Sequence, residues 1–412
     1  LNDGFRVEGG FKRDEAEIEP EMRVVEVSEG GIKGLQGCKS LVSVVKVKLR
    51  DYQQALSDCA VMALEGHDRI AVVCPTGSGK TALALEGILP RLKEPVAWVT
   101  HRVELAEQVA GYGSGVSVFM VQSCPDLVGF GSVIVDEGHH VAAKTYERMI
   151  ASNPGAKILA LTATPYRIDG VGLGECGFTA LVHGPDVYAL TVGGFLCPAV
   201  TLVPVSQSTG SWSPEDCARR MLLHDFTRAI VYCRSVADCV KTSDLLNQAG
   251  SKSAVVTGEM DGEERAAAVD GFKGGSISVI CNHTVLTEGF DCPEVDLVVL
   301  NRHTESRCLW RQMTGRGLRN AQGKEVCTIL DLSANSVTHG CIYDAEVFTL
   351  SGSVERTEAR SLPEGLARER GEYRYEKEQE LKIWKPSTSQ HVLLESLRRL
   401  KSTSPLLRLM TG

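Results

Sequence analysis

The chain has 412 residues, 43% of them hydrophobic and 23% charged, with a formal net charge of −8. That make-up excludes collagen-like and low-complexity polymers and leaves room for two or three domains with real cores. No apolar run approaches the ~18 residues that span a bilayer, and no charged-then-apolar leader opens the chain, so neither a membrane span nor a secretory signal is expected. The acidic balance argues against a uniformly basic nucleic-acid coat. It does not exclude a locally basic groove, because nine acids against four bases in residues 1–30 supply much of it. The fourteen cysteines include no C-x-x-C pair, so structural zinc is not expected and a reducing, cytosol-like compartment is. Cys74, Cys233 and Cys281 end apolar runs and read as small buried hydrophobes.

In chain order, residues 1–45 form an N-terminal extension whose residues 1–30 are acidic and without sustained periodicity, and Val24–Val27 and Leu41–Leu49 read as strands of a hairpin leading into the first lobe. From about residue 50 short apolar strands alternate with helical patterns. The strands are Ile70–Cys74, Val96–Thr100, Val116–Met120, Val133–Asp136 and Ile158–Thr162, with helices over Ala82–Leu92 and Val103–Ala110. The rhythm restarts with Ala229–Cys233, Ala254–Thr257, Ile277–Cys281, Leu297–Leu300 and Val326–Leu330. Nearly all-apolar strands in repeated βα units predict parallel sheets covered on both faces. The expected fold is therefore α/β, with two tandem lobes over 46–205 and 206–340 joined through the Ser-, Pro- and Gly-rich stretch Thr201–Glu215. In the remaining 341–412, Glu355–Lys382 is dense in charge and Leu393–Leu409 is amphipathic and basic, predicting a helical or partly disordered tail.

Three stretches carry chemistry in the first lobe. Cys74-Pro75-Thr76-Gly77-Ser78-Gly79-Lys80-Thr81 follows a strand and opens a helix. Glycines there let backbone N–H groups cradle phosphates, with Lys80 on the β/γ-phosphates and the Thr81 hydroxyl on Mg²⁺. Val133–Asp136 ends in Asp136-Glu137-Gly138-His139-His140. Carboxylates at the carboxyl edge of a parallel sheet suit Mg²⁺ (Asp136) and the attacking water (Glu137). Leu161-Thr162-Ala163-Thr164-Pro165 ends the next strand. The second lobe supplies Thr287-Glu288-Gly289-Phe290-Asp291 and then Gln312-Met313-Thr314-Gly315-Arg316-Gly317-Leu318-Arg319. Arg316 and Arg319, three apart, are expected on one helix face, aimed at the phosphates as arginine fingers.

The ordered set resembles superfamily 2 helicases over roughly Leu49–Leu332, and Asn282–Asp296 and Thr304–Arg319 are similar to RadD-type DNA helicases. The resemblance implies two RecA-like lobes that hydrolyse ATP with Mg²⁺ between them. Within Leu49-Arg50-Asp51-Tyr52-Gln53 it makes Gln53 the adenine contact, and it places Pro75, Thr76, Gly77, Ser78, Gly79, Lys80 and Thr81 around ATP with Gly289 and Asp291 near the ribose. Catalysis falls to Lys80, Glu137, Gln312, Arg316 and Arg319, and coupling to His139, Thr162 and Thr164. Thr100-His101-Arg102-Val103-Glu104-Leu105 resembles a strand-gripping motif, so His101, Arg102, Gln122, Thr257 and Thr287 are implied nucleic-acid contacts. The sequence departs from the pattern at Gly138, where Ala or Cys is common, which adds backbone freedom beside Glu137. The implied partner is single-stranded, forked or duplex DNA, in the cytoplasm, nucleoid or an organelle matrix. An RNA helicase and a catalytically silent nucleic-acid-binding module are the alternatives.

Overall fold

The computed structural model describes residues 47–101, 106, 109–110, 116–124, 126–140, 144–166, 170–204, 210–283, 285–287 and 290–358, with strand residues 23–24, 43–44 and 381–383. The expected N-terminal hairpin appears as β1 (Arg23–Val24) paired antiparallel with β2 (Ser43–Val44).

The first sheet holds β3 (Arg69–Val73), β4 (Val96–Thr100), β5 (Val116–Met120), β6 (Ser132–Asp136), β7 (Lys157–Thr162) and β8 (Ala180–His183), in the order β5-β4-β6-β7-β3-β8 and all parallel. Its central strands are apolar throughout because they have two cores to fill. Ala71, Ala97, Val133 and Ala160 face one core, whereas Ile70, Val72, Trp98 and Ile134 face the other.

The second sheet holds β9 (Ala199–Pro204), β10 (Ala229–Cys233), β11 (Ser253–Val256), β12 (Val279–Asn282), β13 (Leu297–Asn301) and β14 (Cys327–Leu330), in the order β11-β12-β10-β13-β14-β9 and parallel. Ile230, Tyr232, Val298 and Leu300 fill one core and Val231, Cys233, Cys281 and Val299 the other. The three cysteines singled out as small hydrophobes are buried free thiols.

Two elements lie elsewhere than the sequence pattern suggested. β9 runs into the expected connector, yet it pairs with β14, and the helix Val187–Val192 before it packs Val187 and Leu190 into a second-lobe core. A division at 205 would therefore cut elements that pack with the second lobe away from it. In the tail, β15 (Ala345–Phe348) and β16 (Val354–Glu358) form an antiparallel hairpin, and β17 (Leu381–Ile383) adds antiparallel to β9. Both ends of the charged Glu355–Lys382 run are thus strand. The expected helix over Leu393–Leu409 lies outside the described residues. No helix among the described residues is long and apolar enough to cross a membrane.

Parallel registry gathers the chemistry at one edge. Val73 is level with Thr162 and Asp136 with Leu161, so the turns after β3, β6 and β7 open side by side. In the second lobe, β12 and β13 flank β10, so the turns that follow them lie on either side of its end.

Candidate nucleotide site between the lobes

Cys74–Gly79 turns from β3 into a helix starting at Lys80, with Cys74 N donating to the Thr162 carbonyl at 3.0 Å. Gly77 (φ 84°) and Gly79 (φ 77°) hold left-handed backbone that a side chain would strain. Lys80 Nζ donates back to the carbonyls of Cys74 (3.1 Å) and Pro75 (3.3 Å). The hydroxyl of Ser78 is buried without a hydrogen-bond partner. Thr81 is half-buried in the first helical turn.

Gln53 is 4% exposed, and its amide donates to the carbonyls of Ser78 (3.0 Å) and Gly79 (3.3 Å). Its carbonyl accepts from Arg50 N at 3.0 Å. The side chain expected at the base therefore braces the phosphate loop. Tyr52, beside Gln53 in the same motif, donates to the Ser78 carbonyl at 2.6 Å and meets Phe195 with ring centroids 4.9 Å apart. An aromatic wall of this kind has no local sequence signal, because its two halves lie on different elements.

Asp136 is 3% exposed. Burial, and then the charge of Glu137, pushes its carboxyl up to about 7, while Lys80 pulls the other way. One oxygen accepts from Glu137 N at 3.0 Å and the other, Oδ2, is buried without a partner. An orphaned carboxylate oxygen, an orphaned hydroxyl and a left-handed glycine loop in one place fit a magnesium-bound polyphosphate, since each gains there the partner it lacks.

Glu137 adopts φ 51°, a left-handed backbone that costs about 1 kcal/mol or more for a non-glycine residue. The turn that follows puts His139 in the cleft, 4% exposed. His139 Nε2 lies 3.1 Å from the amide nitrogen of Gln312, across the lobe boundary. An amide N–H donating to Nε2 assigns the ring proton to Nδ1, which faces Glu137 Oε2 and Thr162 Oγ1, each at 3.5 Å. Thr162 Oγ1 in turn donates to the Thr164 carbonyl at 2.7 Å. Thr164 Oγ1 lies 2.9 Å from Cys308 Sγ on the second-lobe helix Arg307–Gly315. Cys308 is a second contact that the motifs did not single out.

Gly138 is present for want of space rather than for freedom, since a Cβ there would lie 2.7 Å from Ala160 Cβ on β7. Gly138→Ala should lower the melting temperature by the equivalent of about 1–3 kcal/mol of overpacking, and lower turnover with it. Adding Ala160→Gly should restore most of both losses. Strictly additive losses in that double-mutant cycle would remove the steric explanation.

Ser306 caps the helix Arg307–Gly315 by accepting from Leu309 N, and Gln312 is 5% exposed on it. The helix stops at Gly315, where a Cβ would press within 2.8 Å of Thr76. Arg316 then begins a tighter turn and Arg319 is extended, so the two arginines do not share a helix face as the spacing suggested. They converge through the backbone instead. Arg316 Nη1 donates to the Phe290 carbonyl at 2.6 Å, Arg319 Nη1 reaches the same oxygen at 3.4 Å, and Arg319 pairs with Asp291. A Cβ on Gly77 would lie 3.1 Å from Leu196 and 3.3 Å from the Arg319 side chain, so the second lobe already leans on the phosphate loop.

Among the expected nucleic-acid contacts, Gln122 donates to the His101 carbonyl at 3.3 Å, which joins the turns after β4 and β5. Thr257 follows β11 and its carbonyl accepts from Arg265 at 3.1 Å. Thr287 closes the turn Val285–Thr287. Arg102 and Gly289 lie outside the described residues.

Residues 46–116 and 122–167 match the family described as type III restriction enzyme, res subunit, and residues 214–321 the helicase conserved C-terminal domain. The chain is 30% identical to a candidate mitochondrial ATP-dependent helicase, irc3, of Schizosaccharomyces pombe, over 69% of this chain and 57% of that one. It is 26% identical to a 51.5 kDa protein of a Lactococcus phage (65% and 66%) and 24% identical to the DNA 3'-5' translocase XPB2 of Sulfurisphaera tokodaii (66% and 79%). The chain thus spans less than two thirds of the length of several relatives it matches. A fragment of a candidate HsdR subunit of a type I restriction enzyme from Vibrio vulnificus aligns with TM-score 0.58 at 21% identity, covering 71% of this chain and 65% of that one. The Mycobacterium smegmatis helicase Lhr bound to ssDNA and AMP-PNP aligns with TM-score 0.53 at 20% identity (75% and 49%). At those identities the solved structures speak to the fold, which is a pair of RecA-like lobes. The ordered motifs, the inter-lobe contacts and the family matches together make this chain a member of helicase superfamily 2.

Proposed function

We propose that the protein is a DNA-dependent ATPase that moves along or unwinds DNA by opening and closing the cleft between its lobes. The contact of His139 with Gln312 carries the reading, because it ties the carboxylate turn of one lobe to the arginine-bearing segment of the other. ATP with Mg²⁺ supplies a γ-phosphoryl group whose transfer to water needs positioning and charge neutralisation. The loop amides and Lys80 would hold the phosphates, while Thr81 and Asp136 would hold the cation. Glu137 would take a proton from the attacking water, and Arg316 and Arg319, gathered at the Phe290 carbonyl, would neutralise charge in the cleft with their remaining N–H groups. Thr162 and Thr164, bonded to each other and to His139 and Cys308, couple the state of the cleft to the strand-facing turns. His101, Arg102, Gln122, Thr257 and Thr287 are proposed to meet the strand there. Phosphate contacts should make binding salt-dependent and sequence-tolerant.

Similarity to a protein named as a DNA translocase favours DNA as the track. Relatives named as rRNA helicases, at 24% identity over 58% of the chain, keep RNA as the second reading. Steady-state ATP hydrolysis with no nucleic acid, single-stranded DNA, forked DNA and RNA of equal length decides between them. Stimulation of at least tenfold by DNA over RNA is expected. Stimulation by RNA alone would overturn the DNA assignment, and hydrolysis under no condition would overturn the ATPase.

A further inference from the structure

The hairpin β15–β16 lies beyond residue 321, where the second-lobe family match ends, and it touches both lobes. On the second-lobe side, the Glu346 side chain is 3% exposed and forms ion pairs with Arg307 and with Arg311, the latter at 2.8 Å. These arginines stand one turn apart on the helix that carries Gln312 and leads into Arg316. Arg307 also donates to the His339 carbonyl at 2.5 Å and Arg311 to the Ile342 carbonyl at 3.4 Å. The helix is thereby clamped by the segment that follows it.

On the first-lobe side, the Phe348 ring lies parallel to His183 at the end of β8, 4° off and 6.2 Å between centroids, and 6.0 Å from Tyr166. The Leu350 carbonyl accepts from Gly174 N at 2.8 Å. Gly172 touches the turn of the hairpin so closely that a Cβ would lie 2.2 Å from both Gly352 N and the Leu350 carbonyl. A cavity of about 450 Å³ separates Val347 and Phe348 from Pro75, Thr76 and Gly315. The hairpin therefore stands behind the phosphate loop and the arginine-bearing segment together.

We propose that this hairpin is an inter-lobe strap, and that Glu346 and Phe348 are positioning residues for nucleotide turnover. Glu346 holds the helix of Gln312, and Phe348 with Leu350 anchors that hold to the first lobe. Lobe and helix are thus aligned before nucleotide arrives. A strap that raises the fraction of aligned protein raises apparent nucleotide affinity by the same factor.

The test uses the full chain. Gly172→Ala is a one-methyl wedge under the strap in ordinary backbone, Phe348→Ala removes the anchor, and Glu346→Gln weakens the clamp. Hydrogen exchange over 345–358 should quicken in the first two while both sheets keep their protection. The KM for ATP and the dissociation constant of a non-hydrolysable ATP analogue should rise together, by roughly 5–20-fold, with kcat at saturation less affected. Glu346→Gln should lower kcat as well. Quickened exchange in the hairpin with KM, affinity and kcat all within twofold of wild type would overturn the positioning role. Unchanged exchange in both Gly172→Ala and Phe348→Ala would overturn the strap. The kinetic arm rests on the ATPase reading above. A wild type that hydrolyses no ATP sinks that reading alone, and analogue affinity with hydrogen exchange then judges the strap.

Discussion

Glu137→Gln is expected to bind ATP with near wild-type affinity and to lose turnover by about 10²–10⁴-fold, the usual weight of a general base. The substitution keeps the size and one acceptor oxygen, replaces the other oxygen with an amide NH2 and removes the charge. Three features support the proposed role of Glu137: the left-handed backbone at φ 51°, the bond from its own N–H to Asp136 at 3.0 Å, and the His139 Nδ1 that faces Oε2 at 3.5 Å. A backbone held off its preferred conformation is kept there by its surroundings, and such positions cluster at functional sites. Single-turnover hydrolysis beside analogue binding separates the two effects. Turnover within threefold of wild type would remove Glu137 from the chemistry, and loss of binding in step with turnover would make its role structural.

Arg316→Ala is expected to lower kcat by about 10³-fold or more, in the range of a lost arginine finger, with Arg316→Lys giving little rescue. Arg316 is 4% exposed and donates to the Phe290 carbonyl at 2.6 Å, so its guanidinium is held beside the cleft in one orientation. A lysine offers a point charge on a flexible stem and cannot reproduce that planar fork. The same carbonyl loses a buried donor in the alanine variant, at a cost of about 1–3 kcal/mol in stability. Melting temperature must therefore be read beside kcat. A kcat near wild type in a folded Arg316→Ala protein would leave Arg319, which reaches the same carbonyl at 3.4 Å, as the remaining candidate. Substantial rescue by Arg316→Lys over Arg316→Ala would instead point to Coulomb attraction without geometry.

Much of this protein was legible in its sequence because the decisive signals are local. A strand buried on both faces must be apolar along its length, and Ile70–Val73, Val96–Thr100 and Leu297–Leu300 satisfy that wherever they end up in a sheet. The phosphate loop needs left-handed backbone at two positions, and only the spacing of Gly77 and Gly79 supplies it. Other features depended on pairs far apart in the chain. β9 opens a stretch rich in turn-forming residues, and only its pairing with β14 makes it part of the second lobe. Gly138 looked like freedom from the sequence, and Ala160 on the neighbouring strand shows that the constraint is volume. Arg316 and Arg319 are three apart, yet the helix ends before they share a face, so a common carbonyl rather than helical geometry brings them together. The aromatic wall of Tyr52 and Phe195, the contact of Thr164 with Cys308 and the clamp of Glu346 join elements that carry no shared pattern. Backbone conformation and burial are encoded within a few residues, whereas which side chains meet across a cleft is decided by how whole sheets pack, and only the tertiary structure decides that.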